Sequence, residues 1–195
     1  MDVLGELQAY EPFNEQEAHD RELLLSHLVA AERAGSEALE RLWGRGDPAH
    51  MTASAWVVSP DRSKVLMAYH NIYQSWSWLG GHADGDCDLR AVALREVREE
   101  SGLASAHLAS PDILSVEVLC VDGHEKRGVY VSSHLHLNVT YLVEADPAET
   151  PRAKPDENSR VAWMTPEEAL AASTEPWFVE RIYRKLVTKS TRDSV

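Results

Sequence analysis

Three glutamates in the segment 95–103 have the spacing of a cation site. Glu96, Glu99 and Glu100 are three and four residues apart, so on a helix they project from one face. Like charges at this spacing weaken a helix by roughly a few tenths of a kcal/mol per pair. The predicted helix ends at Gly102, so the carboxylates also lie near its C-terminus, where the helix dipole disfavours anions. A bound cation removes both penalties, and hard carboxylate ligands favour Mg2+, with Mn2+ as the alternative ion.

A solvated acidic face, neutralised locally by Arg95 and Arg98, is the alternative interpretation of this helix. The preceding loop argues against it. Gly80 and Gly81 stand between a predicted strand and the helix. Glycine there lets the backbone approach a ligand closely and exposes carbonyl oxygens to a metal. We therefore interpret the loop and the helix as parts of one site.

The segment 81–103 resembles the signature of the Nudix hydrolase family. That signature is Gly, five residues, Glu, seven residues, then Arg-Glu-apolar-x-Glu-Glu-x-Gly-apolar. The residues in register are Gly81, Arg95, Glu96, Val97, Glu99, Glu100, Gly102 and Leu103. The flanking strands, the Trp-rich approach and Trp163–Leu170 are also similar to the family's layout, so the resemblance extends over residues 50–172.

One position departs from the signature, because Cys87 stands where the family has its first glutamate. Asp86 and Asp88 flank it, and either can replace that carboxylate, through a water or toward Arg95. A reactive thiol at Cys87 is a further alternative, supported by its position near a helix N-terminus.

The resemblance also implies roles for individual residues. The implied metal ligands, for one to three Mg2+ ions, are the carbonyl of Gly80 and the carboxylates of Glu96, Glu99 and Glu100. Arg95 would orient a helix carboxylate, since its planar fork suits bidentate pairing. The general base stays open between Glu99 and Glu157, because members of the family take it from different loops.

Aromatic and histidine side chains are candidates for substrate binding. Trp76 and Trp78 precede the glycine loop and can stack on a base or another flat group, with core packing as the alternative. His134 and His136 share one face of a predicted strand, and His82 lies in the loop. We interpret these histidines as neutral hydrogen-bond partners in the substrate cleft, or as cover for an exposed sheet face. A zinc site lacks a third ligand with convincing spacing.

The order of the predicted elements favours an α+β fold, an α/β/α sandwich with a mixed sheet flanked by helices, and the resemblance implies the Nudix fold. Residues 1–48 are predicted to be a helical extension packed on the core or on a dimer partner, and 49–195 the Nudix hydrolase domain with C-terminal helices. The predicted strands cover 52–58, 64–69, 113–121, 129–144 and 161–164, and the first two form a hairpin. The predicted helices outside the extension cover 88–101, the segment after Thr165, and 176–187.

Composition restricts the partners and the location. A net charge of −13 disfavours a dedicated nucleic-acid binder, whereas a bound metal still lets the chain attract a small phosphate ester. Two cysteines without a Cys-x-x-Cys pattern indicate a reducing compartment. The N-terminus is too acidic for a signal peptide, and no apolar run reaches the ~20 residues that span a bilayer. We expect a soluble, cytoplasmic protein without membrane contact.

These features together predict metal-dependent hydrolysis of a diphosphate linkage in a small nucleotide-type or related phosphorylated metabolite, by water attack at phosphorus. One alternative is an enzyme of the isopentenyl diphosphate isomerase type, for which Cys87 lies in the wrong segment. The other is a catalytically weak binding or regulatory module, against which the complete set of three glutamates argues. The extra amphipathic helix is compatible with a homodimer.

Overall fold

The structure is a computed structural model that describes residues 2–45, 48–126 and 128–192. The helices are α1 (Val3–Ala9), α2 (Glu15–Ala34), α3 (Ser36–Trp43), α4 (Leu89–Ser101), α5 (Pro166–Ala172), α6 (Pro176–Phe178) and α7 (Arg184–Arg192). The strands are β1 (Ala49–Val58), β2 (Val65–His70), β3 (Ser75–Ser77), β4 (Leu79–His82), β5 (His107–Val121), β6 (His124–Lys126), β7 (Val129–Val131), β8 (His134–Glu144) and β9 (Asn158–Met164). No helix within these ranges combines the length and the apolar character needed to cross a bilayer.

The central strand of the sheet is β1, which is buried along its whole length. It runs parallel to β8 and antiparallel to β4, and β5 follows β8 at one edge. On the other side β2 pairs with β3 and β9. A sheet that contains both orientations, with helices on its faces, confirms the predicted α+β architecture and its mixed sheet.

Alternate residues of the central strands belong to different cores. Met51 and Leu137 lie in the larger core, together with residues of α2 and α4. Trp56 and Leu142 lie in a second core, with Tyr183 of the C-terminal helical region. Successive side chains of a strand point to opposite faces, so α4 covers one face of the sheet and the C-terminal helices cover the other. The predicted alternation along β8 is confirmed.

A buried ionic network, which we call the α2–α7 network, joins the first part of the chain to the last. Lys185 of α7 donates to Glu17 of α2 at 3.1 Å and to Glu117 of β5 at 3.0 Å. Both carboxylates have fully buried side chains. Asn138 donates to the other oxygen of Glu117 at 3.0 Å, and Ser115 donates to Glu17. Buried charges are tolerated only when they are paired and hydrogen-bonded, as they are here.

Local capping interactions fix the ends of several helices. Asn14 caps α2 by accepting from the amide of Glu17. Asp88 caps α4, and Gly102 ends it in the left-handed conformation at φ 70°. A capping box formed by Thr165 and Glu168 starts α5. Short-range side-chain to backbone bonds of this kind are encoded locally, which is why the sequence predicts them well.

Three predicted elements differ from the structure. A single strand over 129–144 is wrong, because the chain leaves the sheet at Ser132 and Ser133, and β7 pairs with β6 instead. The predicted hairpin is confirmed at its turn, but β1 and β2 pair only at Val58 and Val65 before β1 turns to other partners. The last helical segment is predicted to end at Val187 but continues to Arg192. A π-helical turn at Val179–Tyr183 precedes its final part.

Candidate functional site

The glycine pair of β4 lies directly against the glutamates of α4. A methyl group on Gly81 would stand 2.5 Å from the carboxyl carbon of Glu96, so a larger residue there would displace that carboxylate from its position against the strand. The amide of Gly80 donates to Glu100 at 3.2 Å. The predicted loop and helix therefore meet, and they bring Glu96 and Glu100 to the same stretch of backbone.

Glu100 is the most deeply buried carboxylate at this site, with 6% of its surface exposed. Its backbone carbonyl accepts from the side chain of Asn158 at 3.1 Å, which fixes the end of α4. Burial, assisted by the charge of Glu96, raises the pKa of Glu100 to about 8. Burial also raises the pKa of Glu96. Two carboxyl groups that ionise with difficulty alone are suited to a divalent cation, which offsets both charges.

The raised pKa of Glu100 predicts how the metal-free protein responds to pH. Its folded-state pKa is about 8 and its ordinary value is 4.5, so folding favours the protonated acid. This contribution to stability is complete below the ordinary pKa and is lost as pH rises toward the folded one, by at most about 1.4 kcal/mol per pH unit. We expect urea midpoints measured in EDTA to fall between pH 5.5 and 8. Glu100→Gln should lack this part of the slope, and equal slopes for both proteins would contradict the assignment.

Glu99 pairs with Lys154, in the loop before β9, and its other carboxylate oxygen lies 3.9 Å from Arg95. The Lys154 ammonium lies 3.0 Å from a carboxylate oxygen of Glu99 and 3.1 Å from one of Glu157. Burial disfavours the charged ammonium and lowers its pKa. The two carboxylates have the larger combined effect, so the pKa of Lys154 is raised. Both candidate bases are therefore held by one cation. The sequence analysis missed Lys154, although its position three residues before Glu157 was a usable signal.

Replacing Lys154 by methionine should strengthen Mg2+ binding. The ammonium contributes positive charge beside a site that attracts cations, and its removal takes from Glu99 the nearer of two cations, the other being Arg95 at 3.9 Å. Because the lysine is partly exposed, solvent screening limits the gain to roughly 2–5-fold in Kd. Isothermal titration with Mg2+ or Mn2+ measures it. Lys64→Met removes an exposed lysine elsewhere and should leave Kd unchanged. Weaker Mg2+ binding by Lys154→Met would show that the lysine supports the site.

Arg95 links the helix to the glycine strand. Its guanidinium donates to the carbonyl of His82 and to Glu96, each at 3.1 Å. The Asp86 carboxylate lies 3.9 Å from it. Asp88 instead accepts from two amides at the start of α4. Of the two aspartates that flank the departing position, Asp86 is thus the one that faces Arg95.

Cys87 does not have the environment of a reactive thiol. Partial burial and the charge of Asp86 raise the pKa of this thiol. A nucleophilic cysteine needs the opposite shift, toward the thiolate.

The two tryptophans lie on the face of the second core. The indole of Trp78 meets Tyr183 edge-on at a centroid distance of 5.8 Å, and the guanidinium of Arg160 lies 5.1 Å from the ring centroid of Trp76. Both pack against the second core and are only partly buried. Much of each ring is therefore engaged by protein, so core packing accounts for most of their contacts.

The three predicted histidines come together, and a fourth joins them. We call them the histidine cluster, and its members are His50, His82, His134 and His136. Burial, followed by the neighbouring imidazoles, lowers the pKa of His136 to about 2. The sequence analysis missed His50, because it reaches the others only through the pairing of β1 with β8, where it stands beside His136.

The comparisons with known proteins agree with this architecture. The family model described as the NUDIX domain matches residues 48–186. Among solved structures, the Nudix hydrolase RenU from M. Smegmatis has a TM-score of 0.56 at 14% identity, over 78% of this chain and 90% of that one. A NUDIX family hydrolase from Clostridium perfringens has a TM-score of 0.51 at 19% identity, over 70% and 95%. A C. elegans Ap4A hydrolase, solved as a binary complex, has a TM-score of 0.50 at 17% identity, over 73% and 96%. No curated protein matches the chain.

Proposed function

Because this chain belongs to the Nudix family and is a Nudix-type pyrophosphohydrolase, we propose that it cleaves a diphosphate linkage in a small nucleotide-type or related phosphorylated metabolite, with Mg2+ or Mn2+, by water attack at phosphorus. One observation carries the proposal. The carboxylate of Glu100 is buried against the amide of Gly80, and burial, followed by the charge of Glu96, raises its pKa to about 8. Such a pair gains most from a divalent cation.

The residues at this site fit a hard divalent ion. The candidate ligands are the Gly80 carbonyl and the carboxylates of Glu96, Glu99 and Glu100, which are all oxygen donors. Close packing of Glu96 on Gly81 holds that carboxylate at the strand. A bound ion would supply charge neutralisation for the phosphate oxygens as water attacks. Arg95 positions Glu96 through its hydrogen bond and thereby limits the rotamers of that side chain.

The general base is proposed from two carboxylates. Glu99 and Glu157 both pair with Lys154, and Glu99 is also a candidate metal ligand. Either must leave the ammonium to reach the attacking water, since the salt bridge occupies one of its oxygens. Glu157 lies in the loop before β9 and is more readily moved than Glu99 on α4. Comparing the pH dependence of kcat for Glu99→Gln and Glu157→Gln separates them, because only loss of the base removes the acidic limb.

Substrate contacts remain predictions. Trp76 and Trp78 are proposed to stack on a flat group of the substrate with the ring surface that the second core leaves exposed. His82, His134 and His136 are proposed to act either as hydrogen-bond partners of the substrate or in the role argued in the next subsection. A small-molecule partner, and not nucleic acid, agrees with the net charge of −13. The cytoplasmic location and the homodimer also remain predictions.

The proposal is tested by product release from a panel of diphosphate-linked compounds. The panel includes nucleoside triphosphates, nucleotide sugars and Ap4A, the last because a structurally similar protein is an Ap4A hydrolase. We expect turnover with Mg2+ or Mn2+, none in EDTA, and incorporation of labelled water oxygen into a phosphate product.

Two alternatives predict different outcomes in the same assay. A binding or regulatory module shifts in Tm with ligand but releases no phosphate. An isomerase of the isopentenyl diphosphate type converts that substrate without taking up water oxygen, which NMR of the product detects. Either result would replace the hydrolase proposal.

A further inference from the structure

The histidine cluster brings together four imidazoles from three strands. His50 comes from β1, His82 from the end of β4, and the other two from β8. One ring nitrogen from each lies within 4.8 Å of one from every other member. His50 is buried with 3% exposure, and the remaining three are partly buried. The cluster is thus a convergence of nitrogen atoms held by the backbone of the central sheet.

The cluster is separate from the carboxylates of α4. Met51 and Leu137 belong to the core that contains α4 residues. Their chain neighbours His50 and His136 therefore point to the other face of the sheet. His82 follows the same alternation. The preceding residue, Gly81, faces Glu96, and His82 accepts from Arg95 through its backbone carbonyl.

The nitrogen geometry is close to that of a tetrahedral metal site. The Nε2 atoms of His134 and His136 are 3.2 Å apart. With metal–nitrogen distances of about 2.0–2.1 Å, two ligands of a tetrahedral ion lie about 3.3–3.4 Å apart. The longest nitrogen–nitrogen separation in the cluster is 4.8 Å. Side-chain rotations that bring the two nitrogen atoms about 1.5 Å closer together reduce it to this value. No rearrangement of the strands is required.

A hydrogen bond outside the cluster prepares one ligand. The Nδ1 atom of His134 lies 2.8 Å from the carbonyl oxygen of Ser132, to which it donates a hydrogen bond. That tautomer leaves the Nε2 lone pair of His134 directed at Nε2 of His136. Metal-binding histidines are commonly oriented by such a bond from the second ring nitrogen to a carbonyl. Ser132 lies in the break between β7 and β8, so the interruption of the predicted long strand creates this contact.

The chemistry of the ligands selects the kind of ion. All four donors are imidazole nitrogens, which suit Zn2+ and neighbouring transition metals and not Mg2+. Neutral imidazole is the ligating form. The nearby cation Arg45 is neutralised by Asp84, to which it donates at 2.5 and 2.7 Å.

We propose that the histidine cluster is a binding site for one divalent transition metal ion of the Zn2+ class, distinct from the Mg2+ site on α4. Four protein ligands complete a tetrahedral shell, which is characteristic of a structural site and leaves no position for substrate. The bound ion cross-links β1, β4 and β8 at one end of the central sheet.

The test uses full-length protein without a histidine tag, stripped of metal and held in excess Mg2+. Titration with Co2+ should give the intense visible absorption of a tetrahedral ion and saturate at one equivalent. Zn2+ should displace it and raise Tm by roughly 5 °C or more. His136→Gln and His134→Gln should each weaken Co2+ binding by roughly 100-fold. Since His134 is partly exposed, its replacement provides a variant that keeps the fold.

Two controls separate this site from others. His19→Gln removes an exposed histidine of α2 and should bind Co2+ as the wild type does. Glu100→Gln should also keep the Co2+ spectrum, because it alters only the Mg2+ site. The proposal is overturned if the wild type takes up no Co2+, or if binding survives in both cluster variants, and the imidazoles then remain candidates for substrate contact. Because the readout is metal stoichiometry, it does not depend on whether the hydrolase assay succeeds.

Discussion

Glu100→Gln is expected to lower kcat/KM by roughly 10²–10³-fold and, in EDTA at pH 8, to stabilise the protein. The carboxylate is buried against the amide of Gly80 with its pKa raised to about 8. Loss of a ligand weakens charge neutralisation in the transition state. Loss of the charge also removes the cost of ionising a buried acid, which is worth roughly 1–3 kcal/mol over the pH range affected. A substitution that lowers kcat/KM but raises the stability of the metal-free protein identifies a functional carboxylate.

Kinetics with saturating Mg2+ and urea unfolding in EDTA measure the two effects. Glu167→Gln is the matched control, because it removes the same charge from an exposed position on α5. It should change neither quantity beyond about 0.5 kcal/mol. Unchanged turnover for Glu100→Gln would exclude this carboxylate as a metal ligand. If Glu100→Gln is less stable than the wild type in EDTA, the folded wild type keeps Glu100 ionised without a metal.

Lys185→Met is expected to destabilise the protein by roughly 3–5 kcal/mol at pH 7. The ammonium contacts Glu17 and Glu117, whose side chains are fully buried. Methionine fills similar volume but leaves Glu117 without its cation, and Glu17 keeps only Lys189 at 3.5 Å. The uncompensated charge, and not lost packing, accounts for the loss. For a chain of this size, Tm should fall by roughly 6–20 °C.

Arg184→Met is the control for this experiment. It removes a cation from the neighbouring position of α7, where the guanidinium pairs with Glu180 at the surface. Exposed pairs contribute about 1 kcal/mol or less, so this change should be small. Adding Glu117→Gln to Lys185→Met should recover part of the stability, since it removes the charge left unpaired. A cost below about 1 kcal/mol for Lys185→Met would contradict the charge argument.

The features of the site that the sequence predicts are those encoded over a few residues. The spacing of Glu96, Glu99 and Glu100 fixes their common face as soon as α4 forms. Asp88 and Gly102 mark the ends of that helix through local hydrogen bonds and a left-handed turn. The glycine loop is adjacent in the chain and was therefore predicted along with the helix.

The features that the sequence does not predict depend on partners far apart in the chain. Lys154 meets Glu99 across 55 positions, and Lys185 meets Glu17 across 168. His50 joins the histidine cluster only because β1 is parallel to β8 in one particular register. Alternation alone also predicted one long strand over 129–144. The alternation begins only at His134, and the two serines at 132 and 133 interrupt the apolar run before it, a signal that the prediction did not use.

The α2–α7 network has a consequence for biosynthesis. The lysine that neutralises Glu17 is synthesised 168 residues after it. Until Lys185 is synthesised, Glu17 of α2 and Glu117 of β5 have no buried cation between them, so burial of either carboxylate costs free energy. We therefore expect α2 and β5 to bury these carboxylates only after α7 has been synthesised. Contacts of such long separation slow folding, and a chain stalled or cut before α7 is expected to remain open.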